Sequence, residues 1–154
     1  MTMPTLLDEV KKVMEYVEQV SAQLGQPITK GDYYIEDLEC PHNKPKNLPK
    51  GYAAVYMFAY NGEWLKIGKA NSKSKARFTS HHYGFNAKST LAKSLAADPS
   101  MQQYGITQDT ARAWIEHNTY RINILVKAVM GKAATELIES IMHYQFRPRY
   151  EGAI

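Results

Sequence analysis

The 154-residue chain is short of three things: cysteine, long apolar runs and, through its middle third, acidic residues. Its one cysteine, Cys40, allows no intrachain disulfide, and its neighbours Glu39, Pro41 and His42 lack the repeated ligand spacing of a zinc site. A disulfide scaffold and a zinc module are thereby excluded, and Cys40 reads as an incidental thiol. No stretch approaches the ~18 consecutive apolar residues of a membrane-spanning helix. The segment Met1 to Glu9 has no basic part followed by an apolar part, so a soluble, cytoplasmic protein without a membrane partner is expected. Neither an internal repeat nor a low-complexity tract is present, which argues against solenoid and fibrous architectures.

The scarcity of acid is local. Residues 40–93 hold ten Lys/Arg and one acidic residue, net +9, whereas residues 1–39 hold three and eight, net −5, and residues 94–154 hold six of each. The formal charge of +4 for the whole chain conceals this division. A block of one sign is ordinarily only a solvated surface. It acquires meaning if it surrounds a site. With 44% hydrophobic and 22% charged residues, the length suits one ordinary globular domain.

Hydrophobic periodicity supplies the elements. Leu6, Val10, Val13, Met14, Val17, Val20 and Leu24 recur at spacings of three and four, predicting an amphipathic helix N-capped by Thr5 and stopped by Gly25 and Pro27. Residues 26–50 carry four prolines and little periodicity, and read as an extended, loop-rich arm. The runs Tyr52 to Tyr60 and Glu63 to Gly68 flank Asn61-Gly62, a pair that tolerates the positive φ of a type I′ turn, so a hairpin is predicted. A helix entering near Ser74 and two more, over 89–97 and 107–118 with Thr107 as cap of the second, precede a β-branched third strand at Ile122 to Val129. The last helix spans about Lys132 to Phe146, with an apolar face of Ala134, Leu137, Ile138, Ile141, Tyr144 and the stem of Gln145. On a helical wheel Glu136 points away from that face while Glu139 stands nearer its rim. The expected fold class is α+β: a small three-stranded antiparallel sheet flanked by helices, preceded by the N-terminal helix and extended arm.

This ordered series resembles the GIY-YIG nuclease family over about residues 51–152. Ala54-Val55-Tyr56 corresponds to the first motif, with alanine for the usual glycine, and Lys66-Ile67-Gly68 to the second, with lysine for the first tyrosine. Arg77, eleven residues after Lys66, stands where the family arginine is expected, and Glu139, nine residues before Pro148, where the helical glutamate is expected. The tail Arg147-Pro148-Arg149-Tyr150-Glu151 is similar to the family's Pro-Arg-Tyr-Asn ending, with Glu151 replacing asparagine. Among members it looks most like the small type II restriction endonucleases that carry a Lys-Ile-Gly second motif.

The resemblance implies a Mg²⁺-dependent endonuclease hydrolysing double-stranded DNA, of the restriction or defence kind. Tyr56 would take the proton of the attacking water, Lys66 would orient that water or lower the phenol pKa, and Arg77 would bind the scissile phosphate with its planar fork. Glu139 would hold one Mg²⁺, which keeps waters and takes further ligands from phosphate, with Mn²⁺ able to substitute. His81 or His82 would donate to the phosphate or assist proton transfer. Lys69, Lys73, Lys75, Lys88 and Lys93 would supply DNA contacts of the salt-sensitive kind. Residues 1–50 would form an arm for dimerisation or DNA contact and residues 51–154 the catalytic domain. One active site per chain against two strands to cut implies a homodimer, and a restriction role implies a cognate DNA methyltransferase. Two other readings stay open: a structure-specific or nicking nuclease of repair or mobile elements, and a non-catalytic DNA-binding module on a nuclease scaffold.

Overall fold

A computed structural model describes residues 5–151, so expectations touching residues 1–4 and 152–154 lie outside the described residues. Helix α1 (Leu6–Gln23) leads to strand β1 (Tyr33–Glu39) and to the hairpin β2 (Tyr52–Tyr60) and β3 (Glu63–Ala70). Helices α2 (Lys75–Thr79), α3 (Leu91–Ala97) and α4 (Ala111–Asn118) precede strand β4 (Tyr120–Lys127), and helix α5 (Lys132–Phe146) closes the series. Short 3₁₀ segments lie at His81–Tyr83, Pro99–Tyr104 and Ala128–Met130. The class is α+β. Among the described residues no helix is long and apolar enough to cross a membrane.

The sheet has four strands rather than the expected three, in the order β1-β4-β2-β3, all pairs antiparallel. The unforeseen strand is β1, inside what its prolines and acids mark as a loop-rich arm. Two of its acids meet partners on β4, far along the chain: Tyr120 donates to Asp37 at 2.8 Å and the Asn123 amide donates to Glu36 at 2.9 Å. Strand β2 lies between β4 and β3 and is covered on both faces, which is why Ala53 to Ala59 is apolar without alternation. Asn61 and Gly62 adopt φ of 51° and 80° in the hairpin turn, as the pair predicts.

Two cores sandwich the sheet. On one face, Val10, Val13, Met14 and Val17 of α1 and Ile138 and Met142 of α5 pack on Val55, Met57, Ile122 and Ile124. On the other, Phe78, Leu91, Leu95, Ala111 and Ile115 of α2–α4 pack on Ala54, Tyr56, Phe58 and Leu125. Residues 5–50 and 51–151 thus share one sheet and one pair of cores. Helix α1 begins with a capping box, in which Thr5 and Asp8 exchange side-chain and backbone hydrogen bonds.

Local details differ from expectation for identifiable reasons. Thr107 does not cap α4; its N–H donates to Thr110 Oγ1 in a turn that precedes the helix, and Thr110 is the boundary residue. Strand β4 starts at Tyr120 and yields at Ala128 to a 3₁₀ turn instead of reaching Val129. Tyr144 does not belong to the buried face of α5: it is 73% exposed, and Met142 fills that place. The relation between the two glutamates holds, with the Glu139 side chain 21% exposed and that of Glu136 45%.

Candidate functional site

Strand β3 is a free edge, and a cavity of about 410 Å³ opens beside it. Five elements contribute: Tyr56 from β2, Lys66, Gly68 and Lys69 from β3, Arg77 from α2, His81 and His82 from the following turn, and Glu139 and His143 from α5. Edge groups elsewhere on β3 are engaged, since Arg149 and Tyr150 donate their backbone N–H to the carbonyls of Trp64 and Leu65, and His143 Nε2–H donates to that of Ile67 at 2.8 Å. The edge is therefore capped around the cavity.

Register explains how the central residues meet. Tyr56 lies opposite Gly68, and Phe58 opposite Lys66, so Lys66 is the diagonal neighbour of Tyr56 on the same face, at a typical separation of ~7–8 Å. Leu65 is an extra residue in β3, a bulge that lets Trp64 and Lys66 serve opposite faces. The glycine is a steric requirement: a Cβ at Gly68 would fall 2.5–2.8 Å from the Tyr56 ring and hydroxyl. Glycine is the residue type that admits the Tyr56 ring there.

The hydroxyl of Tyr56 meets His82 Nε2 at 2.7 Å, and the Leu91 N–H donates to His82 Nδ1 at 3.0 Å. Nδ1 is therefore an acceptor, the neutral ring carries its proton on Nε2, and His82 donates to the Tyr56 oxygen. Burial, reinforced by the cations Lys66, Arg121, His81 and Arg77, pushes the His82 pKa down to about 3. His82 is thus a neutral, buried donor committed to Tyr56. His81, the other candidate for donation to phosphate, is half-exposed on the cavity rim.

Burial also pushes the Tyr56 phenol up to about 12, against the opposing pull of Arg77 and Arg121. This corrects the expectation that Lys66 readies a phenolate: at rest Tyr56 is a phenol, and the cations that work on it are the two arginines. Lys66 itself is half-buried, and desolvation lowers its pKa, with Glu139 opposing and Arg77 adding to the shift. Neither Lys66 nor Arg77 has a side-chain hydrogen bond or ion pair among the described residues. Glu139 faces Lys69 at 3.5 Å.

Lys69 and Lys88 line the cavity, whereas Lys73, Lys75 and Lys93 do not. Two residues escaped the sequence reading. His143 follows Glu139 by one helical turn, a spacing from which it was readable. Arg121, fully buried, lies under the Tyr56 ring at 5.6 Å from its centroid, and its only sequence signal is the alternation of Arg121 and Asn123 within an otherwise apolar strand. Glu151 stands outside the Tyr56 cavity, 4.0 Å from His143 Nδ1.

The residues present suit a hydrated divalent cation in one respect: a single half-buried carboxylate faces a cavity roomy enough for waters and a phosphate, and Mg²⁺ takes few protein ligands. Among the described residues there is no group of three or more His, Cys, Asp or Glu side chains placed to hold a metal. Comparison with protein-family models, curated proteins and solved structures finds no match for this chain.

Proposed function

We propose that the cavity beside β3 hydrolyses phosphodiester bonds of double-stranded DNA, in the manner of a GIY-YIG nuclease of the restriction or defence kind. One observation carries this reading: Tyr56, Lys66, Arg77 and Glu139, scattered over 84 residues of sequence on four elements, line a single cavity. Unpaired cations facing a cavity fit an anionic substrate. Arg77 receives the scissile phosphate, its fork matching two oxygens. Lys69 and Lys88 contact flanking phosphates.

The proton path follows from the pKa directions. Lys66, its pKa lowered by burial, takes in its amine form a proton from water as that water attacks phosphorus, while Tyr56 stays a phenol that orients the water. Tyr56 ends as a phenol and Lys66 as an ammonium, so one proton has passed from water to lysine. His82 Nε2–H holds the Tyr56 oxygen in place. Glu139 would hold Mg²⁺ after releasing Lys69, and the ion when bound supplies Lewis-acid stabilisation of phosphate and leaving group. Mn²⁺ substitutes on the same donor. A homodimer, with a cognate methyltransferase as functional partner, completes the restriction reading.

The reading is tested by incubating the protein with supercoiled plasmid in Mg²⁺ or EDTA and resolving the products. Linear DNA only in Mg²⁺ supports it, and nicked circles alone support the nicking alternative. Arg77→Ala and Glu139→Gln are each expected to slow cleavage ~100-fold or more, the scale of removing one charge-stabilising group. One rival, the non-catalytic DNA-binding module, is supported by Ala54 and Lys66, which stand where the family has glycine and tyrosine. That rival wins if the wild-type protein binds DNA without cutting it.

A further inference from the structure

A second groove of about 470 Å³ opens off the first and shares Glu139 and His143 with it; Ser140, Tyr144, Arg147 and Glu151 complete its lining. Its far end is unusual. Arg147 ends α5 in the left-handed conformation, φ 47° and ψ 63°, where glycine is the ordinary residue and a Cβ is a cost. Its Nε donates to the Tyr144 carbonyl at 2.9 Å, and the guanidinium lies 4.6 Å from the centroid of the Tyr144 ring. The ring is 73% exposed, and the terminal guanidinium nitrogens donate to no described residue. An apolar ring and an unspent cationic fork are thus stacked and turned to solvent beside the proposed site.

We propose that the Tyr144–Arg147 pair is a second nucleic-acid contact: Arg147 grips a backbone phosphate flanking the one at Arg77, and Tyr144 packs against the adjoining sugar or base. This rests on the reading that the first cavity receives a DNA phosphodiester. Arg147 is eight residues past Glu139, ~12 Å along the helix, or about three to four nucleotides at the duplex rise of roughly 3.4 Å per nucleotide. The carboxylates Glu139 and Glu151 make the groove floor acidic, so the phosphate is held at the rim, over the arginine. A planar fork held flat by an aromatic ring is pre-ordered for two phosphate oxygens.

The test is equilibrium binding of a fluorescein-labelled DNA duplex in EDTA, followed by anisotropy over a salt series, for wild type, Arg77→Ala, Arg147→Gly and Tyr144→Ala, with a thermal melt of each. Arg147→Gly is expected to weaken binding about fivefold, to reduce the slope of log affinity against log salt by about one, and to leave Tm no lower, because glycine relieves the left-handed backbone. Tyr144→Ala is expected to weaken binding about threefold with an unchanged melt. Wild-type affinity in both variants overturns the proposal. If Arg147→Gly melts lower, Tyr144→Ala decides: weaker binding supports the pair, unchanged binding overturns it. If Arg77→Ala weakens binding while the two α5 variants do not, the pair fails and the cavity reading stands; if the wild type binds no duplex, both fail.

Discussion

Two polar clusters share one face of the sheet and are built on opposite rules. Around Arg121 every group is spent. Its Nε donates to Asn123 Oδ1, one terminal nitrogen to Tyr83 Oη at 3.0 Å and the other to the Phe78 carbonyl at 2.7 Å, while Phe58 and Phe78 each lie 4.9 Å from it. Tyr83 in turn meets His42 Nε2, whose Nδ1–H donates to the Thr119 carbonyl, so the hydroxyl accepts from arginine and donates to histidine. The charge has no carboxylate in contact; the nearest acid in this chain of bonds is Glu36, one step beyond Asn123. The β3 cavity has the reverse character: the half-buried Lys66 and the exposed Arg77 line it with no side-chain hydrogen bond or ion pair among the described residues. A buried charge has to have its hydrogen bonds saturated by the protein, whereas a cation open to solvent at a cavity does not. Tyr56 lies on the border, its ring over Arg121 and its hydroxyl toward the cavity.

The sharpest way to break this comparison is to remove one arginine from each cluster. Arg121→Met keeps volume but leaves three buried acceptors without a donor, and is expected to cost about 3 kcal/mol or more in urea unfolding. Arg77→Ala is expected to change stability by less than ~0.5 kcal/mol while cleavage collapses. A loss below ~1 kcal/mol for Arg121→Met would remove the distinction.

The border is tested next. Gly68→Ala drives a methyl into the Tyr56 ring and is expected to cost about 2 kcal/mol, the scale of overpacking, and to reduce cleavage with it. Unchanged stability together with unchanged cleavage contradicts the packing of Tyr56 on Gly68.

The smallest effect, per unit of pH, concerns His82. The folded protein holds it neutral, with a pKa of about 3 against an ordinary value near 6.5, so its contribution is complete above about 6.5 and is lost as pH falls. The expected slope is ~1.4 kcal/mol per pH unit between about 6.5 and 3. His42, lowered chiefly by burial, adds in the same direction. Urea midpoints measured from pH 7 to pH 4 should fall less steeply in His82→Asn than in wild type. Parallel acid profiles would mean that His82 is not held as a neutral donor.

Much of the fold was legible because its cues are local. The capping box at Thr5 and Asp8, the Asn61-Gly62 turn and the span of α5 each depend on a few neighbouring residues, and each stands where its residues predict. Strand β1 was not legible, since Glu36 and Asp37 look like solvated loop acids until Asn123 and Tyr120 meet them across the sheet. At the candidate site, the resemblance singled out Tyr56, Lys66, Arg77 and Glu139, and all four line one cavity. Their protonation was not legible. A cation near a phenol suggests a lowered pKa, but only burial depth decides the sign, and at Tyr56 desolvation outweighs Arg77 and Arg121 together.

By itself, then, the sequence determined the helices, the hairpin and the residue types gathered at the cavity, because periodicity and turn chemistry act over a few residues. The tertiary structure alone decided that the sheet has a fourth strand, that Arg121 is buried and His82 neutral, and that Tyr56 rests as a phenol. Those outcomes depend on dielectric surroundings and on partners up to 87 residues away in the chain, which no local pattern records.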